Sequence, residues 1–390
     1  MPTDSALPAP DADARAHSER VAAHIRAEIA AAGGFIPFAR YMELALYAPG
    51  LGYYAAGAAK FGAAGDFVTA PEMTPLFARA LALQVAAILA STPRREILEL
   101  GAGSGRLAAD LLVALAARDA LPSRYLILEP SPDLRERQRA TIARDAGPLA
   151  ARVAWLDALP DALAGAVVAN EVLDAIPVHL VARRGPVICE RGVTLGSDPS
   201  SPFAWAERPA APRLAALAAA RFPAGGDYLS EINPAAEALV QSLGKRVVEG
   251  AMLLIDYGFP TAEYYHPQRS AGTVMCHYRH RSHADPFAWP GLTDITAHVD
   301  FSAMAAAGAR AGLTVAGFTA QAPFLLGCGI LDELAATGAP DSVDYIKAAA
   351  PVQKLLSPAE MGDLFKVLAL ARSEGIAWPG FALADRSHRL

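Results

Sequence analysis

The sequence predicts an α/β fold, a mostly parallel sheet of about seven strands wrapped by helices. Three observations carry that expectation. Short apolar runs recur from residue 95 onward: "EILEL", "YLILEP", "RVAWLD", "AVVANEV" and, much later, "AMLLIDYG". Helical stretches separate the first four runs, which is the strand–helix alternation of a parallel sheet. The glycine loop "GAGSG" follows the first run and opens a helix, the usual place for a nucleotide-like ligand in such folds.

The 390 residues suffice for one large domain with insertions, or for two domains. With 53% hydrophobic and 19% charged residues, a sizeable core is expected and global disorder is not. A net charge of −6 argues against a nucleic-acid footprint built on overall charge. Residues 1–15 read as a disordered tail, with neither the basic nor the apolar region of a secretory signal. Cys189, Cys276 and Cys328, odd in number and without paired spacing, suit reduced thiols in a bacterial cytoplasm.

Residues 16–92 read as an N-terminal helical lid region. Val21, Ile25 and Ile29 recur at helical spacing and Gly33-Gly34 ends that helix. The aromatic stretch "FIPFARYMELALYAPGLGYY" reads as a packing layer or lid, followed by the polar loop "AKFGAAGDFVTAPEM" and the helix "PLFARALALQVAAILA". Residues 93–177 form the ligand-binding core. Residues 178–250 read as an inserted α+β subdomain: a hairpin in "HLVARRGPVICERGVTLG", a Pro/Ser-rich loop near 197–202, and a helix from Pro234 with Asn233 as its N-cap. Residues 251–325 complete the core sheet and a substrate loop, and 326–390 read as a C-terminal helical region. The uncharged run from Ala311 to Leu331 contains Pro323 and several glycines, so it reads as strand, turn and buried loop instead of a membrane span.

The glycine spacing selects among ligands. A dinucleotide fingerprint, G-x-G-x-x-G, would place its third glycine at 106, where this chain has Arg106. Gly101, Gly103 and Gly105 instead follow Glu99 at a strand end. A carboxylate beside a pyrophosphate is unfavourable, which disfavours an NAD-dependent oxidoreductase. S-adenosylmethionine (SAM) carries an ammonium and a sulfonium and no phosphate, so Glu99 suits it. Glu129 ends the second strand, where it can accept both ribose hydroxyls, and Asp157 ends the third, where it can accept the adenine amino group. Singly, each acid reads as readily as a helix cap or a solvated end; in order at successive strand ends they point to a class I methyltransferase with a Rossmann-like core.

After the fourth strand, "ANEVLDAIPVH" places Asn170, Glu171 and Asp174 where a transferable methyl would face, although Asp174 and Asn170 also suit capping and loop roles. Asp256-Tyr257-Gly258 ends the fifth strand and either borders the substrate or closes the sheet. The cluster "CHYRHRSH" has no second ligand pair at zinc spacing, so no metal is expected. No Gly-x-Ser-x-Gly or P-loop signature supports a hydrolase or a kinase.

The motifs "GDFVTAPEM", "LELGAGSGRL", "ANEVLDAIPVH", "LLIDYG" and "GTVMCHYRHRSHADPFAWPGLTDITAHVDF" resemble the MidA family, from about residue 20 to about 372. That family includes the mitochondrial complex I assembly factor that methylates a protein arginine. The resemblance implies a SAM-dependent methyltransferase and a protein substrate, a complex I subunit among its relatives. It implies that Gly65, Asp66, Phe67, Thr69, Pro71 and Glu72 form a loop closing over the cofactor. It further implies that Asn170, Glu171 and Asp174 line the methyl-facing strand end, with His298 and Asp300 in a distal part of the pocket. For a guanidinium acceptor, Glu171 and Glu72 are the candidate holders with Asp174 in reserve, and His298 either takes the departing proton or anchors its turn. Rival expectations are a methyltransferase for a small molecule and a SAM-binding assembly chaperone with little turnover. The oligomeric state is open, a dimer included.

Overall fold

The computed structural model describes residues 7–56, 69–198 and 201–390. The chain folds as two compact units: Met1–Phe67, Ala175–Ala235 and Thr261–His298 make the first, and Val68–Asp174, Ala236–Pro260 and Val299–Leu390 the second.

The second unit holds the strand–helix alternation. Its sheet runs in the order Thr314–Ala320, Phe365–Ala371, Val247–Phe259, Leu163–Asn170, Glu96–Leu100, Arg124–Leu128 and Val153–Leu156, with the short strand Val299–Asp300 paired to Val247–Phe259. All five runs recognised in the sequence are therefore strands of one sheet. From Val247–Phe259 to Val153–Leu156 the neighbours are parallel, whereas Phe365–Ala371 is antiparallel to both of its neighbours. The sheet is thus mixed and has eight strands, against the expected seven. Every residue of Leu163–Asn170 is buried, as a parallel strand covered on both faces requires.

A large core cluster lies in this unit. Helix Pro75–Ala90 contributes Leu81, Val85 and Ile88, helix Arg106–Ala116 contributes Leu111 and Leu115, and the strands contribute Ile97, Ile127, Val168 and Leu253. The stretch 326–390, expected to be helical, also supplies the strand Phe365–Ala371, buried at every position. A short continuous apolar run carries no period that separates strand from helix, so pairing decides. The Lys366 ammonium inside that run donates to the carbonyls of Asp363 and Leu364. The uncharged run 311–331 becomes the strand Thr314–Ala320 and a helix, Gln321–Gly327, in place of the expected turn and loop. Among the described residues no helix is long and apolar enough to cross a membrane.

The first unit begins with helix Ala12–Ala31, which starts inside the expected tail because the Asp11 carboxylate accepts from the Ala14 N–H. Val21, Ile25 and Ile29 are buried, as their spacing requires. The aromatic stretch forms helix Phe38–Tyr47, whose Phe38, Tyr41 and Leu44 join the core of this unit with the strand residues Leu180, Val193 and Phe203. The expected hairpin is present as His179–Arg184 and Val187–Asp198, turning at Gly185 with φ of +56°. A further strand, Ser201–Pro209, begins at the end of the stretch read as a Pro/Ser-rich loop and pairs with Val187–Asp198. In a separate three-stranded sheet Cys276 pairs in register with His283, and burial pushes the Cys276 thiol up.

Candidate functional site

The second unit gathers most of the singled-out residues at the carboxyl ends of its parallel strands. Gly101, Gly103 and Gly105 all have positive φ, at 58°, 52° and 84°. Gly105 leaves no room for a side chain, since a Cβ there would lie 2.9 Å from the Gln138 Cα. Gly105→Ala is therefore expected to cost about 1–3 kcal/mol of folding stability, visible as a lowered Tm; an unchanged Tm would contradict the tight loop.

Three acids sit around this loop in different states. Glu99 is buried and accepts from the Tyr125 hydroxyl at 2.6 Å. Burial, opposed by that bond and aided by the Glu129 charge, raises its pKa to about 7. Glu129 is also buried, with one oxygen accepting from the Ser131 N–H at 3.0 Å and the other from Gln138 Nε2 at 3.1 Å. Burial moves its carboxyl above the usual range, against the pull of those two donors. Asp157 behaves differently: its side chain is 91% exposed and pairs with Arg135 at 2.7 Å.

Gln138 was not among the sequence candidates, yet it ties the crevice together. Its amide donates to the Gly103 carbonyl at 3.1 Å as well as to Glu129, and accepts from the Trp155 indole at 2.8 Å. A signal was available: Leu134, Gln138 and Ile142 share one buried helix face, so the glutamine had to find polar partners inside.

The short helix Ala70–Met73 bridges the loop and the fourth strand. Glu72, a candidate holder of the acceptor, takes a hydrogen bond from Ser104 of the glycine loop on one carboxylate oxygen. The Ala70 N–H donates to Glu171 at 3.4 Å, Pro71 is buried, and the Thr69 carbonyl accepts from the Glu72 N–H at 3.0 Å. Gly65, Asp66 and Phe67 lie outside the described residues.

Beyond the fourth strand the backbone turns sharply. Glu171 has φ of +52°, a conformation that costs a non-glycine residue about 1 kcal/mol or more. Its N–H donates to the Ile255 carbonyl at 2.9 Å, and its carboxylate accepts from Asn170 Nδ2 at 3.2 Å. Asn170 is 9% exposed and its Oδ1 has no hydrogen-bond partner among the described residues. Asp174 is buried and accepts from the Tyr257 hydroxyl at 2.5 Å, so it does not cap a helix there. Beneath them, Asp256 is 1% exposed, and burial with the charges of Asp174 and Glu171 pushes its carboxyl well up.

The two distal candidates have local backbone roles. Asp300 caps helix Phe301–Arg310, accepting from the Ala303 N–H at 3.1 Å. His298 belongs to the first unit, where its N–H donates to Thr273 Oγ1 at 3.0 Å.

Comparison with known proteins bears on this arrangement. A family model described as "Putative S-adenosyl-L-methionine-dependent methyltransferase" matches residues 80–319. The chain is 29% identical over 398 residues to "Protein arginine methyltransferase NDUFAF7 homolog, mitochondrial" of Drosophila melanogaster, across 93% of this chain and 87% of that one. The corresponding human protein is 27% identical over 368 residues, across 86% and 80% of the two chains. A crystal structure from Burkholderia thailandensis bound to S-adenosyl-homocysteine is 53% identical, with a TM-score of 0.94 over 99% of this chain and 100% of that one.

Proposed function

The chain belongs to the S-adenosyl-L-methionine-dependent methyltransferase family, and from that premise we propose that it methylates a guanidinium nitrogen of a protein arginine. Its cofactor is S-adenosyl-L-methionine, which supplies an electrophilic methyl group when bound. The residues present fit that group. The positive-φ glycines leave backbone open at a helix start, Glu129 is a buried acceptor, and the Asn170 Oδ1 is a buried acceptor without a partner among the described residues.

In this reading Gly101, Gly103 and Gly105 receive the carboxylate end of the cofactor, Glu99 faces its ammonium, and Glu129 accepts the ribose hydroxyls. Asn170 borders the same crevice, and Thr69 and Pro71 stand beside it at the short helix Ala70–Met73. Asp157 keeps one oxygen on Arg135 and offers the other to the adenine end.

The observation that carries the acceptor assignment is the strained turn at Glu171, with Asp174 and Asp256 close by. Such a concentration of carboxylates stabilises a cation. A guanidinium stays protonated, with a pKa above about 12, so it reacts only when held with one nitrogen free. Carboxylates bind its other nitrogens in paired, charge-assisted hydrogen bonds. Glu171 takes that role, Asp174 supports it, and Glu72 steadies the glycine loop through Ser104. In-line transfer then draws much of its acceleration from positioning. The relatives called protein arginine methyltransferases support arginine as the target, and the MidA resemblance points to a complex I subunit as its carrier.

Incubating the protein with methyl-labelled SAM and a lysate of its host tests this reading. A labelled polypeptide whose digest yields methylarginine is the expected outcome. Label confined to small molecules would favour a metabolite acceptor, and absence of transfer would favour a binding role.

Glu99 adds a pH signature. At pH 6 its carboxyl is largely protonated, because its pKa is about 7. An ammonium favours the ionised form, so SAM binding at pH 6 is expected to release a proton. Calorimetry in buffers of differing ionisation enthalpy reads this directly, and heats independent of buffer would remove Glu99 from the ammonium. In the free protein the sign is opposite to that of a salt-bridged acid. Between about pH 4.5 and 7 the folded chain keeps a proton that the unfolded chain has lost, so this group's contribution falls as pH rises, by up to roughly 3 kcal/mol.

A further inference from the structure

The dipeptide after the fifth strand's Ile255 is unusual in where its hydrogen bonds go. One Asp256 oxygen accepts from three successive backbone N–H groups, those of Val172 at 3.2 Å, Leu173 at 2.9 Å and Asp174 at 3.3 Å. Its other oxygen accepts from the Tyr257 N–H at 2.9 Å. The donors belong to the three residues that directly follow Glu171, the residue with φ of +52°. The Tyr257 hydroxyl donates to Asp174 at 2.5 Å. Tyr257 also packs edge-on against Phe365, with ring centroids 5.4 Å apart.

We propose that Asp256 and Tyr257 are positioning residues for the acceptor-holding carboxylates. Asp256 gathers the N–H groups of the turn and so holds Glu171 in its left-handed conformation, while Tyr257 sets the direction of the Asp174 carboxylate. The physical basis is that a strained residue persists only where its surroundings over-determine it. Here the surroundings are one buried side chain that satisfies three otherwise orphaned donors. Loss of Asp256 leaves those donors unsatisfied and lets Glu171 relax to negative φ, which re-aims its side chain. Loss of the Tyr257 hydroxyl frees the Asp174 carboxylate without touching the turn. Neither change alters Gly101, Gly105 or Glu129.

This proposal rests on Glu171 and Asp174 acting on the methyl acceptor, so the test includes Glu171→Gln. Three full-length variants, Asp256→Asn, Tyr257→Phe and Glu171→Gln, are compared by transfer of labelled methyl groups from SAM to host-lysate polypeptides. Affinity for S-adenosyl-homocysteine is measured alongside by calorimetry. The expected result is a maximal rate lowered about a hundredfold in Asp256→Asn and about tenfold in Tyr257→Phe, with S-adenosyl-homocysteine affinity within about twofold of the parent. A crystal structure of Asp256→Asn is expected to show Glu171 at negative φ. If Glu171→Gln is inactive while both other variants keep the parental rate, the positioning roles are wrong and the acceptor assignment stands. If Glu171→Gln itself keeps the parental rate, the acceptor assignment fails first. Should Asp256→Asn not fold, Tyr257→Phe decides: a tenfold rate loss with unchanged S-adenosyl-homocysteine affinity supports the proposal, and a parental rate overturns it.

Discussion

Glu171→Gln is expected to lower the rate of methyl transfer by roughly 10²–10³-fold and to leave affinity for S-adenosyl-homocysteine nearly unchanged. The substitution keeps the size of the side chain and one acceptor for the donors at Asn170 and Ala70. It removes the negative charge, which is what a guanidinium requires while one of its nitrogens attacks. The backbone strain at φ of +52° is the same in both proteins, so the two should melt within a degree or two of each other. The rate is read in a single turnover with labelled SAM, so that product release does not mask the chemical step. A parental rate would move the acceptor away from this turn. A parallel loss of cofactor affinity would make Glu171 a cofactor ligand instead.

Glu129→Ala has the largest expected effect on binding. Two charge-assisted hydrogen bonds to ribose, at about 1.5–3 kcal/mol each, correspond to roughly a hundredfold or more in Kd. The alanine also releases Gln138 Nε2, which keeps its bond to the Gly103 carbonyl but loses the one to the carboxylate. Calorimetric titration with S-adenosyl-homocysteine measures the loss, and Gln138→Leu should reproduce part of it by freeing Glu129 and the loop together. An affinity within about threefold of the parent would mean that Glu129 serves only its own turn, through the Ser131 N–H.

Much of the site could be read from sequence because it is built from strand ends. Apolar runs of strand length, separated by helical periods, put Glu99, Glu129 and Asn170 at adjacent carboxyl ends once the sheet is parallel. The glycines followed from local conformation, since three positive φ values in five residues exclude most other residue types. Asp300, inside a family-specific stretch, also caps the helix that follows it, a role the motif alone does not spell out. The bond from the Ser104 hydroxyl to Glu72 is a tertiary detail that neither charge nor motif spells out.

By itself the sequence determined the α/β class, the glycine loop and the choice of a cationic cofactor over a phosphate-bearing one. Each of these depends on neighbours in the chain: hydrophobic period, backbone conformation, and the sign of charge beside a helix start. Only the tertiary structure decided how the acids are held. The Asp256 carboxylate reaches N–H groups 82 to 84 residues away, and Glu99 meets the hydroxyl of Tyr125 on the next strand over. The physical reason is that hydrogen bonds between buried groups exist only after strand order and register have brought distant residues together, and no local pattern encodes which donor will arrive.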